Sequence, residues 1–125
     1  MCQAWVTYQR DTGDDAVAQP EHPCWWAVSA VIGAGVDPEL LWRVIRVLCS
    51  LVEPDDQRVV GMIAADPLWG LINSDGDRAM DLIEPAADRN PVLLTALKDV
   101  SAGDWPVEPR IERYLTTRGN RGRNA

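Results

Sequence analysis

The chain has 125 residues, 46% of them hydrophobic and 25% charged, and carries a net charge of −7 at pH 7. That length is enough to bury about two-thirds of the unfolded surface in one core, and the composition is that of a globular rather than a disordered chain. The acidic balance argues against duplex nucleic acid, whose phosphates need a basic face, and against anionic membrane surfaces.

The charge is unevenly spread. Residues 110–125 hold five arginines and one glutamate, net +4, which leaves −11 on the rest. No basic start followed by an apolar run opens the chain, and the apolar stretch "CWWAVSAVIGAGV" (24–36) is shorter than the ~20 residues a membrane-spanning helix needs. Cys2, Cys24 and Cys49 are an odd set at spacings of 22 and 25, neither a disulfide framework nor a zinc signature. A reduced, cytoplasmic protein with no membrane partner is expected.

In chain order, "HPCWWAVSAVIGAGV" predicts a helix from Pro23 to about Ala34, ended by Gly33 and Gly35. Next comes the first of three Asp/Asn-Pro pairs, Asp37-Pro38, Asp66-Pro67 and Asn90-Pro91, each ahead of an apolar run. Proline suits the first helical position because its missing N–H would have no partner there, and the residue before it caps the next amides. The helix from Pro38 to about Val52 carries one polar stripe, Glu39, Arg43, Arg46, Ser50 and Glu53, and reads as the central helix, buried elsewhere. Glu53-Pro54-Asp55-Asp56 opens a shorter helix bearing Val59, Val60, Met62 and Ile63. Asp66 should end it and cap another, with Leu68, Leu71 and Ile72 inward. A further helix spans about Gly76 to Arg89, kinked at Pro85, and helices after Pro91 and around Ile111–Leu115 close the chain.

No period-2 apolar alternation between turns appears, so no substantial sheet is expected. The predicted fold is all-α: one compact array of six to eight short helices over residues 1–115, either irregular or HEAT-like in its antiparallel packing. "DPELLWRVIRVL" and "NPVLLTALKDVS" echo one another, but two copies do not make a solenoid. Residues 116–125, "TTRGNRGRNA", are polar and glycine-rich and read as a disordered tail.

"LINSDGD" (71–77) gathers polar oxygens around one glycine. Placing Gly76 at position 6 of a calcium loop puts Leu71 at position 1 and Leu82 at position 12, both hydrocarbons, so the metal reading fails. A helix–helix turn fits, with Asn73 or Gly76 left-handed and Ser74 or Asp75 capping the next helix. His22 is the single histidine, and with Cys24 it could suggest a nucleophile and base. Its polar setting before a helix points instead to an exposed or capping residue. No nucleophile elbow or phosphate loop is present. Asp14-Asp15 and Asp55-Asp56 are sequential pairs, which do not face one point on a helix. No catalytic residue, metal ligand or cofactor is assigned.

Six tryptophans, two tyrosines and no phenylalanine mark the chain. Trp5, Trp25, Trp26, Trp42, Trp69 and Trp105 are mostly expected in the core. Adjacent Trp25 and Trp26 cannot share one direction, and Trp69 sits beside the inward set of its own helix. Exposed Trp is enriched in binding hot spots. Trp25, Trp26 and Trp69 are therefore the candidate interaction surface.

"AWVTYQR" (4–10), "CWWAV" (24–28), "DPELLWRVI" (37–45), "IAADPLWGLI" (63–72) and "DLIEPAADRNPVLLTAL" (81–97) occur in that order. Together they resemble a family of small uncharacterised bacterial proteins, a domain of unknown function. Its patterns are A-W-I-x-Y, W-x-A-x-x-x-V, D-P-E-x-A-W, A-x-G-P-L-E-D-L-L and E-x-x-A-x-x-x-P-x-x-x-x-A-L. The chain departs at Asp66-Pro67-Leu68-Trp69-Gly70, where the family's acidic pair is replaced by Trp69 and Gly70. The resemblance implies an all-helical domain and supplies no catalytic residues.

The functional expectation is a non-enzymatic helical module that binds a protein with a basic surface, an immunity-type inhibitor of a basic toxin being one version. The alternatives are an enzyme using carboxylates or Cys24 in an inter-helix pocket, and RNA binding through the basic tail.

Overall fold

The computed structural model describes residues 2–12, 21–102 and 109–124. Trp105 and the Asp14-Asp15 pair lie outside them. Among the described residues the chain forms seven α-helices and no strand: α1 (Cys2–Thr12), α2 (Trp25–Ala34), α3 (Pro38–Leu51), α4 (Gln57–Ile63), α5 (Trp69–Ala87), α6 (Pro91–Ala102) and α7 (Pro109–Asn124). A π turn, Ala64–Leu68, joins α4 to α5. The all-α expectation holds.

Two of the three Asp/Asn-Pro starts form as their chemistry dictates. The Asp37 side chain accepts from the Glu39 N–H at 3.1 Å, with Pro38 as the first helical residue. Asn90 Oδ1 accepts from the Val92 and Leu93 amides at 2.9 and 3.3 Å, ahead of Pro91. α4 begins just beyond the Pro54 segment, capped by Asp56, whose carboxylate accepts from the Val59 N–H.

The third start does not interrupt the chain. Pro67 has no N–H to return to the preceding turn, and the bonding widens instead of stopping. The Trp69 N–H reaches the Ala64 carbonyl five residues back. Asp66 therefore caps nothing, and the boundary expected there becomes a bulge inside one path.

The real break lies within α5, at Gly76, whose φ of 51° and ψ of −118° are open to glycine alone. The helix–helix turn of "LINSDGD" is thus made by Gly76. Ser74 turns back to donate to the Leu71 carbonyl at 3.2 Å rather than capping the next turn. Pro85 sits near the end of α5 with helical dihedrals, and the one non-helical residue of the element is Gly76. At the end of α2, Gly35 caps in ordinary right-handed geometry, and Gly33 lies inside the helix.

α3 touches α1, α2, α4, the π turn, α5 and α6, which makes it the central helix. Contact with so many elements, not only chain neighbours, is the pattern of an irregular globular array rather than of a solenoid. α1, which the apolar pattern alone does not mark as a helix, seals one end against α2, α3 and α4 with Trp5 and Val6 fully buried. Ile45, Leu48, Ile63, Leu68, Leu71, Met80, Ile83, Leu93, Leu97 and Ile111 complete one continuous core.

α7 packs on α5 and α6 and is tied to α5 by polar contacts. Arg110 bridges Asp81 at 2.7 Å, Glu84 at 2.5 Å and the Asp77 carbonyl at 3.0 Å. Tyr114 donates to Asp88 at 2.6 Å, and Arg118 pairs with the same carboxylate. The backbone of α7 is helical through Asn124, and its ion pair at Arg118 lies in the stretch whose composition suggests a disordered tail.

Candidate interaction surface

The structure does not gather Trp25, Trp26 and Trp69. Trp25 turns inward onto Tyr8 of α1, ring centroids 5.6 Å apart and planes tilted by 57°. Trp69 is half-buried against the core at the start of α5. Trp26, the other half of the adjacent pair, points outward with 55% of its surface exposed. One of the two tryptophans had to face away, and it is Trp26.

Its neighbours on α2 escape a search guided by tryptophan alone. On α2, Ile32 is 60% exposed and Ser29 and Gly33 are exposed as well; Val36, two residues past the end of the helix, is 90% exposed. At 100° per residue Trp26, Ser29, Ile32 and Gly33 fall within an arc of about 120°. α2 contains no charged residue in its ten positions. A helix that is apolar all round is normally buried all round, yet α2 packs on α1 and α3 and leaves this arc to solvent. Asp37, Glu39 and Leu40, which follow Val36 into α3, are exposed too. The signal is present in the sequence as the absence of charge from "WWAVSAVIGA", but only packing shows which arc is uncovered.

α3 departs from expectation in the same way. Its polar stripe is exposed, but so are Val47 and Leu51, 47% and 38%, so its outer face is wider and more apolar than a single stripe. A groove of about 510 Å³ runs between α3 and the α5–α6 junction, lined in part by Trp42, Arg46, Cys49, Ser50, Arg89 and Leu93. Burial pushes the Cys49 thiol up to about 12, so it is a neutral wall group rather than a thiolate at neutral pH.

His22, Cys24 and a carboxylate do meet, at the corner of α1 and α2. His22 Nε2 lies 3.0 Å from Asp11 Oδ2, and its ring stands edge-on to Tyr8 at 5.2 Å. His22 Nδ1 accepts the Cys24 backbone N–H at 3.0 Å. That bond commits the imidazole lone pair to the entry of α2, and the proton on Nε2 goes to Asp11. A base for a Cys24 nucleophile would need that lone pair free and aimed at sulfur. The constellation is a capping one.

Asp66 in the π turn is half-buried, and burial raises its carboxyl above the usual range. Among the described residues no group of three or more His, Cys, Asp and Glu side chains could hold a metal ion, and no helix is long and apolar enough to cross a membrane.

These features define an all-α globular protein with irregular helix packing around a central α3. The chain belongs to a family of unknown function (DUF6869), which it matches over residues 14–116. Neither the comparison with curated proteins nor that with solved structures found a match.

Proposed function

We propose that the protein is a non-enzymatic interaction module that docks a protein partner on the outer face of α2. One observation carries the reading: an uncharged helix with Trp26 and Ile32 left in solvent, followed directly by an exposed Val36. Leu40, the next large apolar residue in the chain, is exposed as well, and apolar patches left exposed on a monomer are often functional. Burying an exposed Trp at the centre of such a patch, ringed by weaker contacts, is how hot spots are built.

The partner's chemistry comes from the edge. Asp37 and Glu39 border the patch, and the chain as a whole carries −7. The complementary surface is an apolar patch rimmed by lysine or arginine, towards which an acidic body is also steered. An inhibitor covering the basic surface of a toxin is one protein of this kind.

The test compares capture of partners by the intact chain, by Trp26→Ala with Ile32→Ser, and by Glu39→Lys. A single stoichiometric protein with a basic surface, lost in the first variant and weakened in the second, supports the reading. A partner retained by both variants removes the α2 face from consideration.

A further inference from the structure

A second surface, which meets the α2 face at Asp37 and Glu39, lies along the seam between α3 and α5. The groove at the C-terminal end of α3 has Arg46 and Arg89 in its lining and no carboxylate. Arg43 adds to the same end through a shallow depression that it shares with Arg46. In a chain with 19 acidic residues such a stretch is unusual. Arg10, Arg110 and Arg118 are each held by a carboxylate. Among the described residues Arg43, Arg46 and Arg89 have no such pair.

The other end of the seam has the opposite sign. A groove of about 480 Å³ there is lined by Asp37, Glu39, Asp75 and Asp81, against the single cation Arg78. The two grooves share one residue, Leu82, which is 45% exposed. Taken end to end across Leu82, the seam is acidic at the start of α3, apolar over Leu82 and Pro85, and basic at the end of α3. From Asp37 to Ser50 a helix rises about 20 Å at 1.5 Å per residue. A segment extended at about 3.3 Å per residue covers that distance in roughly six residues.

We propose that this trough binds a linear segment of a partner protein carrying basic, apolar and acidic side chains in that order over about 20 Å. Its basic end lies by Glu39 and Asp75, its apolar side chain covers Leu82, and its acidic end sits between Arg46 and Arg89. Arginine at the acid-binding end supplies paired N–H donors that suit a carboxylate. Opposite charges at the two ends set the direction of the segment and reject segments of uniform charge.

The test is a fluorescence-anisotropy titration with four labelled six-residue peptides: lysines–leucines–glutamates in blocks, an alternating arrangement of the same residues, an all-basic version and an all-acidic version. The block peptide should bind at least tenfold tighter than each of the others and weaken with salt. Arg46→Glu with Arg89→Glu should move the preference to the all-basic peptide, and Glu39→Lys with Asp75→Lys to the all-acidic one. Such swaps need a folded protein and are not produced by unfolding, which circular dichroism monitors. Trp26→Ala with Ile32→Ser should leave the peptide affinity unchanged, which separates this trough from the α2 face. Equal binding of block and alternating peptides, or preferences unmoved by either charge reversal, overturns the proposal. So does binding governed by the arginines alone, with Glu39 and Asp75 without effect.

Discussion

Replacing Gly76 by alanine tests the least ordinary feature of the backbone. A Cβ added at Gly76 meets no atom within 4 Å, so the substitution neither clashes nor opens a cavity. Its whole effect comes from the backbone, where φ of 51° and ψ of −118° lie outside the regions L-residues occupy. Strain of that kind costs about 1–3 kcal/mol. Gly70, in the same helix, is the internal control: its Cβ position is equally empty and its φ is not in the left-handed region. There alanine should stabilise by about 0.5–1 kcal/mol, since glycine is the poorer residue in a helix interior. The two substitutions, chemically identical and six positions apart, should have opposite signs. Urea unfolding followed by circular dichroism gives both values from the shift in midpoint at constant slope. If Gly76→Ala is neutral or stabilising, α5 is an unbroken helix in solution and the reasoning about "LINSDGD" fails.

Other expectations rest on single groups. Asn90→Ala removes the cap that binds two amides of α6 and should cost about 1–2 kcal/mol in the same assay, with Asn90→Asp retaining most of it. Burial, and then the bond to Asp88, pushes the Tyr114 phenol up to about 12. The neutral phenol is the stabilised form, so its contribution is complete below the ordinary tyrosine range of about 10 and is lost as pH rises through about 12. Alkaline absorbance titration should show a tyrosine step near 12 that disappears in Tyr114→Phe; its survival in that variant would contradict the contact. Asp66 has its carboxyl raised by burial, so its ionised form costs stability at neutral pH and nothing once it is protonated in both states. Asp66→Asn should therefore raise the urea midpoint at pH 7 and lose that advantage in acid, and an advantage equal at both pH values would point away from charge.

Much of the fold is legible because it is written in local chemistry. Asp37-Pro38 and Asn90-Pro91 start helices through bonds made within three residues of the cap, and no distant contact is needed to form them. The long apolar pattern of Pro38–Leu51 likewise marks a helix that most of the core surrounds. "DPLWG" has the look of a third start of the same kind and forms a π turn. α4 and α5 both have inward faces to deliver to α6, and continuity with a bulge serves this better than a break. Gly76 is legible as the turn of "LINSDGD", since a positive φ favours glycine, and that it rather than Asn73 takes the turn is decided in the folded chain.

The candidate surfaces divide along the same line. Composition alone establishes the excess of acid, the supply of tryptophan and the lack of charge in α2, because each is a property of residue types in order. Which arc of α2 stays in solvent, and that Trp26 rather than Trp25 or Trp69 occupies it, depends on where α1 and α3 press against that helix. The trough is more tertiary still. Arg46 and Arg89 are 43 positions apart, and Glu39 and Asp75 are 36 apart. No periodicity links residues so distant; the packing of α3 beside α5 brings them to one seam.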